Sequence, residues 1–207
     1  MRILHRIGTH LLTALLTAGI VSLYWYGVYG SGIVGSASRG KVLTETTSSA
    51  NKQRLVLGPS GLAIPVAGLN AKDLIDTYAQ ARSGGARLHD AIDIMAPHGT
   101  QVVAAAPGIV EKMFISKGGG GITVYVRSTD KNWIYYYAHL QDYAPGLTEG
   151  QKVSRGDPLG TVGSSGNANP EGPHLHFAVH KMNPQDDWHG GEPVNPYPLL
   201  AGKAASS

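Results

Sequence analysis

The triplet His174-Leu175-His176 lies downstream of His89-Asp-Ala-Ile-Asp93 and of Tyr137-Ala138-His139-Leu140. Together these segments offer four imidazoles and a carboxylate, a donor set suited to a catalytic zinc site. A hydrolytic zinc keeps three protein ligands and leaves its fourth position to a water whose pKa falls to about 7. His89, Asp93 and His176 supply two imidazoles and one carboxylate, so such a centre retains net positive charge. His139 and His174 then stand free to handle protons and a developing oxyanion. Any one of these pieces alone occurs by chance; their joint occurrence gives the reading its weight. The chain contains no Cys, which excludes thiolate ligands, a thiol nucleophile and disulfides.

These residues need strands to aim them. His174 to Val179 is apolar and β-favouring, and side chains two apart on a strand share a face, with Cα atoms ~6.6 Å apart. His174 and His176 would project on one side, with Leu175, Phe177 and Val179 in the core. The same alternation over Trp133 to His139 predicts Tyr135, Tyr137 and His139 on one face. Further short strands are expected at 62–66, 101–105, 108–114 and 122–127, with a short helix over 71–81. Gly118 to Gly121 reads as a hairpin turn, because no Gly-Lys-Ser/Thr follows to make a phosphate cradle. The Gly146 to Gly160 segment has the turn-strand-turn spacing of a compact barrel, and the Gly163 to Pro173 loop would rim the site. The fold class is therefore mostly β, an antiparallel sheet or barrel-sandwich.

The other histidines have simpler settings: His98 in a solvated turn, His180 at the rim, His189 in a loop within reach of substrate. Asp90 and Glu171 are general bases by residue type alone. Neither Gly-x-Ser-x-Gly nor His-Glu-x-x-His occurs, which excludes a serine nucleophile elbow and a thermolysin-type helix site.

Arg2, His5 and Arg6 precede an uncharged stretch that is strongly apolar over 11–29, close to the ~20 residues a membrane-spanning helix needs. This predicts a cytoplasmic 1–10 segment, a transmembrane anchor at 11–29, a flexible linker at 30–60, a β domain at 61–200 and a tail at 201–207. The domain would then face the periplasm or cell wall. A cleaved signal peptide ending near Gly35-Ser36-Ala37 is the alternative. Net charge is +3 with a pI of about 9.1, which suits an anionic wall or membrane surface; without a Lys/Arg run, nucleic-acid binding is excluded.

The segments resemble the lysostaphin/LytM-type zinc endopeptidases that cut peptidoglycan. The pieces are His89-Asp-Ala-Ile-Asp93-Ile, Gly99-Thr-Gln-Val-Val-Ala-Ala-Ala-Pro-Gly108, Tyr137-Ala-His139-Leu, Gly150-Gln-Lys-Val-Ser-Arg-Gly156 and Gly172-Pro-His174-Leu-His176-Phe. Ala91 departs from the His-x-Gly-x-Asp of many members. The resemblance implies a LytM-like duplicated hybrid motif with zinc on the floor of a groove. It implies that His89, Asp93 and His176 are the ligands, and that His139 and His174 activate water and stabilise the transition state. It also implies a peptidoglycan substrate, either a D-Ala–diaminopimelate bond or a glycine bridge, and cell-wall or division proteins as partners. Two rivals are a non-catalytic LytM-like activator of a wall amidase, and a biotinyl/lipoyl-type carrier barrel. The carrier does not require the His/Asp set.

Overall fold

Runs of β-branched and aromatic residues between glycine turns form eleven strands in the computed structural model, which describes residues 55–202. The segments expected at 1–10 and 11–29, the linker up to 54 and the tail from 203 lie outside the described residues. A small ribbon comes first, β1 (Ala81–Arg82) and β2 (Arg87–Leu88), followed by β3 (Ile92–Met95) and β4 (Gln101–Val103). The long strands are β5 (Gly108–Ile115), β6 (Ile122–Ser128) and β7 (Trp133–Tyr143). After them come β8 (Lys152–Val153), β9 (Pro158–Val162), β10 (His174–Lys181), β11 (Glu192–Val194) and a short helix α1 (Pro196–Ala201).

All pairings are antiparallel. The path β11-β10-β7-β6-β5-β8 forms the main sheet, with β3 paired to β10 and β4 to β9. β10 is central: one edge pairs along β7, while the other is shared by β3 and β11. β7 is shared as well. Its first part pairs with β6 and β10, and its far end, from Leu140 to Tyr143 across a register shift, pairs with β9. That bend brings the β4–β9 pair over the inner face of the main sheet.

The inner face is apolar throughout. Phe177, Leu175, Tyr137, Val124 and Ile92 are fully buried and pack with Val102, Leu159 and Val162. Burying each such side chain contributes about 1.5–3 kcal/mol, so the odd-numbered positions of β10 lock its even-numbered ones outward. The Gly118–Gly121 turn joins β5 to β6, as expected.

Two local expectations differ. Only Ala71–Asp73 is helical, a single 3-10 turn, and the chain is extended at Leu74. The Asp76–Tyr78 stretch is instead held by contacts to the His89 segment, and these compete successfully with helical bonds. Residues 62–66 make isolated bridges, Leu57 with Ala63 and Val66 with Val102, rather than a strand; Pro65 has no N–H to continue a ladder. Residues 55–60, expected within the linker, pack on the domain: Ser60 Oγ donates to the Leu199 carbonyl at 2.7 Å.

Candidate active site

β3 and β10 pair with His176 opposite Asp93 and His174 opposite Met95. Directly opposed residues share a face, so Asp93 and His176 emerge side by side, with His176 Nδ1 3.2 Å from Asp93 Oδ1. His89 arrives from the turn before β3, where Asp90 takes a left-handed φ of 57° and breaks the strand. His89 is buried, and its Nδ1–H donates to the Thr77 carbonyl at 2.9 Å. Nε2 is thereby left with a lone pair. It lies 3.0 Å from His176 Nδ1 and 3.0 Å from Asp93 Oδ1.

Three electron-pair donors converge here within contact distance of one another. A proton on His176 Nδ1 satisfies one neighbour at a time, whereas a divalent cation satisfies all three at once. The donor set therefore fits a cation such as zinc. Ala91, between His89 and Asp93, is completely buried.

Burial works against the charge on Asp93, yet its close contacts with the His176 and His89 rings hold its carboxyl far below the usual carboxylate range. Burial lowers the His176 pKa, offset in part by Asp93. Two residues absent from the sequence reading orient the set. Thr77 Oγ1 accepts the Asp93 backbone N–H at 2.9 Å, and Arg82 donates to Asp93 Oδ2. Nothing in the local pattern around Thr77 or Arg82 marks them, because both contacts depend on tertiary placement.

His139 reaches the site by a different route from the one expected. On β7 the residues facing His176 and Ala178 are Ala138 and Tyr136, whereas Tyr137 and Tyr135 oppose Phe177 and Val179 on the core side. Tyr137 is buried with its hydroxyl accepting from the Ala105 N–H at 2.9 Å. Strict alternation would send His139 inward with it. A φ of 60° at His139 and a register shift in the β6–β7 pairing turn the side chain back to the site. The tyrosine sharing the site face is thus Tyr136, whose ring lies 5.8 Å from that of His176.

Two loops hold this kink. The His139 N–H donates to Gly120 O at 2.8 Å, and its Nδ1–H donates to Ser165 O at 2.8 Å. Ser165 Oγ donates to Leu140 O and accepts from the Ile122 N–H. Gly166, at φ 75°, is so close to the β5–β6 turn that an added Cβ would fall 2.2 Å from Gly119 O. Burial pushes the His139 pKa down to about 4, so the ring is neutral at pH 7 with Nε2 unprotonated. His174 is arranged alike: Nδ1–H donates to Gly172 O at 2.8 Å, and its ring lies 5.0 Å from that of His139.

All five expected residues line one cavity of about 490 Å³. Arg82 and Arg87 form one wall; Gly119, Gly120, Asn167 and Asn169 form the other. A smaller hollow of about 220 Å³ continues past His176 toward Tyr125, His180 and Trp188. His180 and His189 line that extension, and Asp90 sits at its edge. His98 is exposed and bonded to Gln141 and Ser164, and Glu171 is exposed on the rim loop.

The Peptidase family M23 profile matches residues 87–196. The L-Ala–D-Glu endopeptidase of Bacillus subtilis is 36% identical over 130 residues, 60% of this chain and 38% of that protein. The cell division protein DipM of Caulobacter vibrioides is 29% identical over 164 residues, 79% of this chain but 25% of its own length. The chain thus spans well under half of either relative. Among solved structures, the catalytic domain of the antimicrobial peptidase lysostaphin from Staphylococcus simulans superposes with a TM-score of 0.52. It is 25% identical, over 63% of this chain and 94% of that one.

Proposed function

Because the chain belongs to peptidase family M23, we propose that it is a zinc-dependent endopeptidase that hydrolyses peptide bonds in peptidoglycan cross-links or stem peptides. The observation that carries this reading is the convergence of His89 Nε2, Asp93 Oδ1 and His176 Nδ1 on one another beneath two further histidines. Those three residues would hold the zinc. When bound, zinc supplies Lewis-acid activation of water and of the scissile carbonyl.

The chain's own residues supply the proton handling. His139 and His174 each commit Nδ1–H to a backbone carbonyl, so each presents Nε2 to the cavity as the basic atom. One takes the proton of the attacking water, and the other, once its Nε2 carries a proton, donates it in a hydrogen bond to the developing oxyanion. Thr77 and Arg82 keep the ligand atoms aimed, and the rim loops keep His139 turned outward. The apolar 11–29 segment would anchor the chain in the cell membrane, with the catalytic domain outside the cytoplasm.

The second reading, a non-catalytic activator of a wall amidase, draws on the similarity to DipM, named a cell division protein. The complete ligand and histidine set favours the enzyme. To test this, the purified full chain is incubated with peptidoglycan, with and without a chelator, and released fragments are analysed by mass spectrometry. New peptide ends that vanish with chelator and return with zinc are expected. A folded, zinc-loaded chain that releases none would overturn the enzyme and leave the activator.

A further inference from the structure

The β1–β2 ribbon sets Arg82 directly across from Arg87, joined by a Ser83-Gly84-Gly85-Ala86 turn. Like charges opposed on a ribbon are unfavourable unless something anionic offsets them. For Arg82 that partner is Asp93. Arg87 has none: it is exposed, and among the described residues it makes no hydrogen bond or ion pair. It nonetheless lines both the main cavity and the smaller hollow, so it stands where the two join.

Among the described residues no acidic side chain pairs with it. Asp93 is already engaged by Arg82, His89 and His176. The facing wall is neutral, built from Gly119, Gly120, Asn167 and Asn169. Asp90 lines the smaller hollow with Arg87 but forms no ion pair with it. An unengaged guanidinium presents a planar fork of donors that matches a carboxylate through two parallel hydrogen bonds. A peptide running from the ligand triad toward Tyr125 and Trp188 must pass this fork.

We propose that Arg87 is a specificity-determining residue that binds a free carboxylate on the substrate peptide, beside the bond to be cut. The enzyme therefore takes anionic stem peptides in preference to neutral glycine bridges. This inference rests on the endopeptidase reading and narrows its substrate class.

The full chain, loaded with zinc, is given three probes: cross-linked stem-peptide dimers with free carboxylates, the same dimers with those carboxylates amidated, and pentaglycine. Both kcat/KM and direct binding by calorimetry are measured. The acid dimer is expected to be cut and bound at least about tenfold better than its amide, as charged hydrogen bonds allow. Arg87→Gln should bring the acid-to-amide ratio close to one, mainly through KM, and Arg87→Lys should restore part of it. An acid-to-amide ratio near one for the unaltered chain, or an unchanged ratio in Arg87→Gln, overturns the proposal. Should the chain cut nothing yet bind the acid dimer preferentially through Arg87, the hydrolytic reading fails and carboxylate recognition stands. If it cuts acid, amide and pentaglycine equally well, hydrolysis stands and the recognition fails.

Discussion

The Thr77 carbonyl accepts the Nδ1–H of His89 and so dedicates the opposite nitrogen of that ring to the ligand face. The same residue's hydroxyl oxygen accepts the Asp93 N–H. A single buried threonine thus fixes both ends of the His89-to-Asp93 motif. Thr77→Val keeps the carbonyl and the shape but removes the hydroxyl. Loss of outer-shell partners typically weakens metal affinity 10–100-fold, so the zinc Kd should rise by at least about tenfold, measured by competition with a fluorescent chelator. Unchanged affinity would show that the backbone alone orients Asp93.

Ligand and non-ligand histidines should separate cleanly. His176→Ala removes one of three donors, and the purified protein is expected to lose stoichiometric zinc by metal analysis. His139→Ala should retain zinc yet lose hydrolysis by about two to four orders of magnitude, the usual contribution of positioned acid–base catalysis. Full activity in His139→Ala would remove that residue from the mechanism.

The His139 pKa, lowered by burial to about 4 from an ordinary 6.5, couples stability to pH. Between those values the unfolded chain binds the proton and the folded chain does not, so stability is complete above about 6.5 and falls as pH drops toward 4. Urea unfolding of zinc-free protein at pH 7 and pH 4.5 should show this loss. His139→Gln should show a smaller one, because His176, whose pKa burial also lowers, still contributes. Equal losses in the two proteins would mean that His139 titrates normally.

Gly166→Ala confronts both a positive φ and the Gly119 carbonyl. Strain of this kind costs about 1–3 kcal/mol. The lower melting temperature should be accompanied by a disproportionate fall in activity, since Ser165, the adjacent residue, holds His139. A melting shift with full specific activity would uncouple the loop from the placement of His139.

Much of this site was legible because period-two alternation holds in β10. His174 and His176 face outward while Leu175, Phe177 and Val179 are buried, as the apolar pattern demands. Alternation failed on β7 because one residue, His139, adopts a left-handed backbone that no side-chain pattern announces, and the tyrosine faces were interchanged as a result. The 71–81 stretch misled for a related reason. Its local helical pattern yields to bonds formed at Thr77 and Tyr78 with residues from the next segment. Arg82 and Arg87 flank a visible Gly-Gly turn, but only the ribbon register places them together at the cavity wall.

The interlock between the 116–121 turn and the 163–173 loop gives the groove the character of a safety catch. Asn167 N–H reaches Gly119 O, Ser165 braces the kink, and His139 hangs from both loops. Prising the wall outward to admit an oversized chain would release the Nδ1 contact in the same movement. A guest too bulky for the groove would thereby swing His139 out of place before it reached the triad.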